Sequence, residues 1–261
     1  MIKTGLEVDL IAAIVISVIG YYCAKLSEQG KVPGVKRHIA ALEGVKEGVG
    51  VCAELGKSLH YGTGPGEMTT RAGTELVAAM AILDYTARLA ARSDVPVYVS
   101  IFDPSSYAYV FQILRQAYGA EGKLDILPVD AVRYYGAADT SYNYGIVRTL
   151  RYENAGANYA IGAWDASTSI NCEAAYALGL FQVGGAALHF KGALPFFVAT
   201  CEYTFICEEM FAAGAMLTED KGMLGTLYTI DLVRYMLIAI MLLGIVSTTF
   251  GSTFLADFLV G

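Results

Sequence analysis

The sequence predicts an α/β fold: a Rossmann-like, doubly wound, mostly parallel sheet flanked by an N-terminal and a C-terminal transmembrane helix. Two observations carry this expectation. The two long apolar segments of the 261 residues sit at opposite ends of the chain, and between them short apolar runs bounded by Gly, Pro, Asp or Ser alternate with long helical patterns. The implied organisation is an N-terminal span over residues 6–24, a basic connector over 25–47, an α/β domain over 48–227 and a C-terminal span over 232–257.

The second apolar segment, Tyr235 to Ala256, runs 22 residues without a charge or a His. At 1.5 Å per helical residue it can cross a hydrocarbon core of ~30 Å. The first, Leu10 to Ala24, has 15 uncharged residues and reaches the required length only with its flanks. A signal peptide is its rival, but Glu7 and Asp9 precede the apolar run and no small-x-small cleavage site follows Tyr21-Tyr22-Cys23. Lys25, Lys31, Lys36, Arg37, Lys46 and Lys57 follow this segment and only Lys3 precedes it. By the positive-inside rule both termini lie outside the cell membrane and the body in the cytoplasm.

In the body, strands are expected at Val49 to Leu55, Val95 to Phe102, Tyr159 to Trp164 and Phe196 to Thr200, with weaker candidates at Ala131 to Tyr135 and Ala187 to Phe190. Helices are expected at Glu67 to Arg92, Ser105 to Tyr118, Ser141 to Tyr152, Thr168 to Gln182 and Tyr203 to Leu217.

Composition narrows the function. An apolar fraction of 55% exceeds that of an ordinary soluble domain, and the formal charge of −7 together with the lack of a basic stripe argues against nucleic-acid binding. Cys23, Cys52, Cys172, Cys201 and Cys207 have no C-x-x-C spacing, so they read as buried small hydrophobes. His38, His60 and His189 are scattered, without metal-ligand spacing, and read as satisfied or surface imidazoles. No metal and no cofactor is expected.

Several stretches carry a family resemblance: Asp84-Tyr85-Thr86-Ala87-Arg88-Leu89-Ala90-Ala91-Arg92 followed by Val95-Pro96-Val97, then Asn158-Tyr159-Ala160-Ile161-Gly162, and Pro195-Phe196-Phe197-Val198-Ala199-Thr200-Cys201-Glu202-Tyr203. In these the chain resembles an archaeal and bacterial membrane-protein family catalogued only as a domain of unknown function. The resemblance covers about Val35 to Leu227. It implies a Rossmann-like body and flanking apolar segments, and brings no activity or catalytic residues with it.

Two constellations are candidates for ligand binding. Gly62, Gly64 and Gly66, with Thr69, form a Gly-rich turn expected between a strand and a helix, where a phosphate meets backbone N–H groups and a helix dipole. The match is partial, because G-x-G-x-G is not G-x-G-x-x-G and Pro65 removes a donor. Asp103, Asp165 and Glu202 follow expected strands, and the carboxyl ends of parallel strands converge on one crevice. Against this, Asp103-Pro104-Ser105-Ser106 and Asp165-Ala166-Ser167-Thr168 also read as helix caps. Cys201 beside Glu202 has no partner base, and no catalytic signature is complete. A tyrosine-rich stretch, Tyr134-Tyr135 to Tyr144 with Tyr142, offers a recognition surface or simple packing.

Small residues line one face of each span: Ala13, Ser17, Gly20 and Ala24 in the first, and Gly244, Ser247, Thr248, Gly251 and Ser252 in the second. Such faces let helices approach closely in lipid. The expectation is a membrane-embedded homo-oligomer acting as a scaffold. The alternative is a tethered nucleotide- or small-ligand-binding protein or enzyme using the crevice.

Overall fold

A computed structural model describes residues 7–30, 38–188, 190–218 and 221–249. Its contacts divide the chain into two units, one of Arg37–Thr218 and one of Met1–Lys36 with Glu219–Gly261.

The larger unit is built on six strands, all parallel: β1 (Ser58–Gly62), β2 (Val97–Ile101), β3 (Val132–Tyr134), β4 (Ala155–Ile161), β5 (Phe181–Ala186) and β6 (Tyr203–Ile206). Their order is β3-β2-β1-β4-β5-β6, so the direction of winding reverses between β1 and β4. Every residue of β1 and β4 is buried, as central parallel strands covered on both faces must be. Helices supply the cover: α2 (Ala40–Leu55), α3 (Gly73–Arg92), α4 (Tyr107–Ala120), α5 (Asp139–Tyr152), α6 (Thr168–Ala177), α7 (Phe190–Thr200) and α8 (Glu208–Thr218).

Helix α2 replaces the strand expected at Val49 to Leu55. Its buried residues, Ala41, Gly44, Val45, Gly48, Val49 and Cys52, recur with helical spacing, and the chain leaves the helix at Gly56 with φ of 62°. The glycines that weaken the helical signal are there for contact. A Cβ on Gly44 would stand 2.4 Å from the Tyr203 ring, and one on Gly48 would stand 2.4 Å from the Tyr159 hydroxyl. Tyr159 donates from that hydroxyl to the Val45 carbonyl (2.7 Å), and Tyr61 donates to the Ala79 carbonyl of α3 (2.6 Å), fastening both helices to the sheet.

Phe196 to Thr200, expected as a strand, belongs to α7. Its burial is one-sided, with Ala193 and Phe197 inside and Val198 68% exposed, which is helical spacing. Strand β6 instead occupies Tyr203–Ile206, the start of an expected helix. The helix expected over Thr168 to Gln182 stops at Ala177, because Gly179 takes φ of 67° and turns the chain into β5. Strand β5 therefore lies ahead of the strand expected at Ala187 to Phe190. Strands β2 and β3 fall within their expected runs, whereas β4 begins four residues before Tyr159.

The second unit is an antiparallel pair, α1 (Glu7–Glu28) and α9 (Lys221–Thr249). Each contains a stretch long and apolar enough to cross a membrane, Leu10–Glu28 and Lys221–Thr249. They meet through small residues. A Cβ on Gly225 would stand 3.0 Å from the Ala24 Cα and 3.1 Å from the Ser27 Cβ, and one on Gly20 would stand 3.8 Å from the Thr229 methyl. Ser27 Oγ donates to the Lys221 carbonyl (2.5 Å) and closes this end of the pair. Gly20 and Ala24 therefore serve the α1–α9 contact, whereas Ala13 and Ser17 are exposed. The position of a Gly244 Cβ has nothing within 4 Å, Ser247 is half-buried, and Gly251 lies outside the described residues.

Candidate functional site

Where the winding reverses, between the carboxyl ends of β1 and β4, a doubly wound sheet usually opens a ligand crevice. Here the two loops close on each other. Ala163 N donates to the Thr63 carbonyl (3.0 Å), Gly162 N to the Gly185 carbonyl (2.9 Å) and Thr63 N to the Ser100 carbonyl (3.3 Å). A Cβ on Gly162 would stand 2.0 Å from the Thr63 oxygen, one on Gly64 2.4 Å from the Ala163 oxygen, and one on Gly66 2.5 Å from the Ala163 Cβ. Gly64 and Gly162 also adopt φ of 85° and 150°. The glycines thus permit one loop of this chain to lie against another.

Aromatic side chains pack together beside these loops. Trp164 and Tyr142 are fully buried with ring centroids 5.8 Å apart, and Phe102 meets Tyr142 edge-on at 5.7 Å. A Cβ on Gly62 would stand 2.9 Å from the Trp164 ring. The Tyr142 hydroxyl accepts from Gly64 N (3.1 Å) and donates to the Ser100 carbonyl (2.9 Å). The N–H group that a phosphate would take is therefore engaged by a side chain of α5.

The acidic residues divide between the two ends of the sheet. Asp103 follows β2 and ties two turns together, accepting from Ser105 N (2.9 Å), Ser105 Oγ (2.6 Å) and Met68 N (2.9 Å). Slight burial opposes its ionisation, but the hydrogen bonds from Ser105 and Met68 prevail and hold its carboxyl below the usual range. Asp165 follows β4, accepts from Ser167 N (2.8 Å) and opens the turn into α6, with Thr168 Oγ1 bonded to its carbonyl (2.7 Å). Glu202 does not join them. Because Phe196 to Thr200 is helical, Glu202 precedes β6 and lies at the amino end of the sheet, where it accepts from Gln182 N (2.6 Å). Thr69 is exposed in the turn before α3, since that helix begins at Gly73 and not at Glu67.

The most elaborate polar construction lies inside the sheet, at residues absent from the expected sites. On the face toward α5, α6 and α7, Ser100, His60, Asn158 and Gln182 form a buried chain across β2, β1, β4 and β5. His60 Nε2 lies 2.8 Å from Ser100 Oγ, His60 Nδ1 lies 2.8 Å from Asn158 Oδ1, and Asn158 Nδ2 donates to Gln182 Oε1 (3.3 Å). Its direction is fixed at one end. Gln182 Nε2 donates to the carbonyls of Cys172 (3.1 Å) and Thr200 (2.8 Å), which orients its amide, then that of Asn158, and leaves Nδ1 of His60 as the donor. Burial pushes the imidazole down to about 4, with the Arg133 charge adding to burial and the Asn158 bond opposing it, so the ring is neutral. His60 is thus a satisfied core histidine. Of the four, only Ser100 lies within a run expected as a strand, Val95 to Phe102, so sequence offered little signal for the rest.

The tyrosine-rich stretch separates by burial. Tyr142 is interior, whereas Tyr134 and Tyr144 are exposed. A surface cleft of about 550 Å³ at the β3 edge is lined by Asp130, Arg133, Tyr134, Tyr135, Arg148, Tyr152 and Glu153. Arg133 is engaged within it, paired to Asp130 (2.6 Å) and Glu153 (2.7 Å) and stacked on Tyr98 at 4.4 Å.

Fold and site together define an all-parallel α/β protein whose switch-point loops pack on each other, carrying two helices long and apolar enough to cross a membrane. The chain belongs to the family described as a domain of unknown function, DUF6754, whose profile matches residues 2–259. No curated protein and no solved structure matches it.

Proposed function

We propose that this protein is a membrane-anchored, self-assembling structural protein whose Rossmann-like body serves as a rigid cytoplasmic module and not as a nucleotide-binding enzyme. The observation that carries this reading is the contact between the loops at the switch point: Tyr142 takes the Gly64 N–H, Phe102, Tyr142 and Trp164 pack together there, and the Gly-rich turn lies against Gly162 and Ala163. Asp103 and Asp165, the residues a ligand would need there, are engaged in turns and caps. The lipid-anchoring part of the reading is supported by the two apolar helices and their small-residue contact, and the assembly part by the open flank at Gly244. With both termini outside, the Lys/Arg excess after the first span keeps the body in the cytoplasm.

The test is the mass of the full chain extracted in mild detergent, measured by light scattering with and without ATP or NAD. A multiple of the protomer mass that ignores both nucleotides supports the proposal. A monomer, or an assembly whose mass or melting temperature responds to either nucleotide, overturns it.

A further inference from the structure

On the sheet face covered by α6 and α7, two cysteines distant in sequence come together. Cys172 is fully buried in the middle of α6, and Cys201, directly after the last residue of α7, is half-buried and packs against the same apolar cluster. The Cys201 side chain raises the pKa of the Cys172 thiol, as a close neighbour does. The scaffold fixes this meeting through Gln182, whose single Nε2 donates to the carbonyl of Cys172 and to that of Thr200, the residue before Cys201. Gly184 of β5 leaves the space: a Cβ there would stand 3.1 Å from Cys201 Sγ. The other cysteines are placed differently. Cys52 is buried in α2 with its thiol on the Ser58 carbonyl, Cys23 lies in α1, and Cys207 follows β6.

We propose that Cys172 and Cys201 are a redox-responsive dithiol that closes to an intramolecular disulfide, stapling α6 to the end of α7. The oxidant is of the hydroperoxide class. Cys201, the more accessible thiol, gives up its proton and its sulfur attacks the peroxide O–O bond. The sulfenic acid forms as that bond breaks, and with hydrogen peroxide the departing oxygen leaves as water. The Cys172 sulfur then attacks the sulfenic sulfur, the S–S bond forms, the S–O bond breaks, and a second water carries away the Cys172 proton. Two thiols lose two electrons and one peroxide gains them. The neighbouring Cys201 thiol and burial hold the Cys172 thiol above its usual range, which suits it to the second, resolving step and not to the first attack. Closing a loop of this length restricts the unfolded chain, so the oxidised body is the more stable form.

The experiment treats the full chain in mild detergent with hydrogen peroxide, then blocks free thiols under denaturing conditions and maps the peptides by mass spectrometry. The expected result is a Cys172–Cys201 linked peptide, a thiol count lower by two than the five of the reduced chain, and a melting temperature raised by several degrees and restored by reductant. Cys201→Ser abolishes the linked peptide and the melting shift together. Should that variant fail to fold, the mapping of the wild-type chain decides alone. An unchanged thiol count overturns the proposal, as does Cys201 overoxidised to sulfinic acid beside a free Cys172, or a disulfide joining either residue to Cys207.

Discussion

His60 Nδ1 stands 2.8 Å from Asn158 Oδ1 in the middle of the sheet, with both residues essentially inaccessible to solvent. Asn158 uses its other amide atom on Gln182, so it is the link that keeps two neighbours satisfied. Asn158→Ala leaves the His60 N–H and Gln182 Oε1 buried without partners, each at a cost of about 1–3 kcal/mol. The expected loss in body stability is ~2–5 kcal/mol by denaturant unfolding; a loss below ~1 kcal/mol would show that the chain of bonds adds nothing.

Acid destabilises the body through the same imidazole. His60 is lowered from its ordinary 6.5 to about 4, so between these values the unfolded chain binds a proton that the folded one refuses. Stability from this group is complete above pH 6.5 and declines as the pH falls toward 4. At ~1.36 kcal/mol per pH unit the loss approaches ~3 kcal/mol. Asp103 acts lower: its depressed carboxyl contributes above its unfolded value of 3.8 and is lost only as the pH falls further. Melting curves of the wild type and His60→Gln across pH 4–7 separate the two, since the variant lacks the slope in the upper window.

Glycine substitutions have opposite signs at two positions. Gly162→Ala meets the Thr63 carbonyl at 2.0 Å with φ of 150°, so the crevice loops must part, at a cost of ~3 kcal/mol or more. Gly50→Ala lies within α2 with nothing within 4 Å of its Cβ, and gains ~0.5–1 kcal/mol from helix propensity. Thermal unfolding of the two variants reads both, and a tolerated Gly162→Ala would mean that the loops are not in contact.

Asp103 is expected to behave as a cap and a staple. Asp103→Ala releases Ser105 N and Met68 N and lowers stability by ~1–2 kcal/mol. Calorimetric titration with ATP, NAD or Mg²⁺ should give the same flat trace before and after the change. A wild-type heat that the variant lacks would return Asp103 to a binding role.

The helical pair offers a paired test of intrachain and interchain packing. Gly225→Leu collides with Ala24 and Ser27, whereas Gly244→Leu enters open space. The first is expected to abolish disulfide trapping between cysteines introduced at Gly20 and Thr229. The second leaves trapping intact and lowers the assembly mass in detergent. An unchanged mass for Gly244→Leu removes that face from the protomer contact.

The parallel α/β character and the two terminal apolar helices were legible because they rest on local periodicity and length. Val95 to Phe102 and Ala131 to Tyr135 contain β2 and β3, whereas Asp165, expected as a helix cap, holds the turn ahead of α6 and leaves the cap position to Ser167. Two strand assignments failed where apolar runs suit either period. Val49 to Leu55 is helical because Gly44 and Gly48 admit tyrosine rings, and Phe196 to Thr200 is helical because Phe197 packs over Gly184. Moving that strand to Tyr203 carried Glu202 to the other end of the sheet.

The sequence by itself determined which segments are apolar enough to be buried or to cross a membrane, and that strands alternate with helices, because both follow from side-chain chemistry over neighbouring residues. Tertiary structure alone decided that the Gly62–Gly66 turn faces Gly162 and Ala163, that Tyr142 takes the Gly64 N–H, and that Ser100, His60, Asn158 and Gln182 share one line of hydrogen bonds. These contacts depend on which strands become neighbours, and the order β3-β2-β1-β4-β5-β6 joins residues 24 to 98 positions apart, beyond the reach of any local pattern.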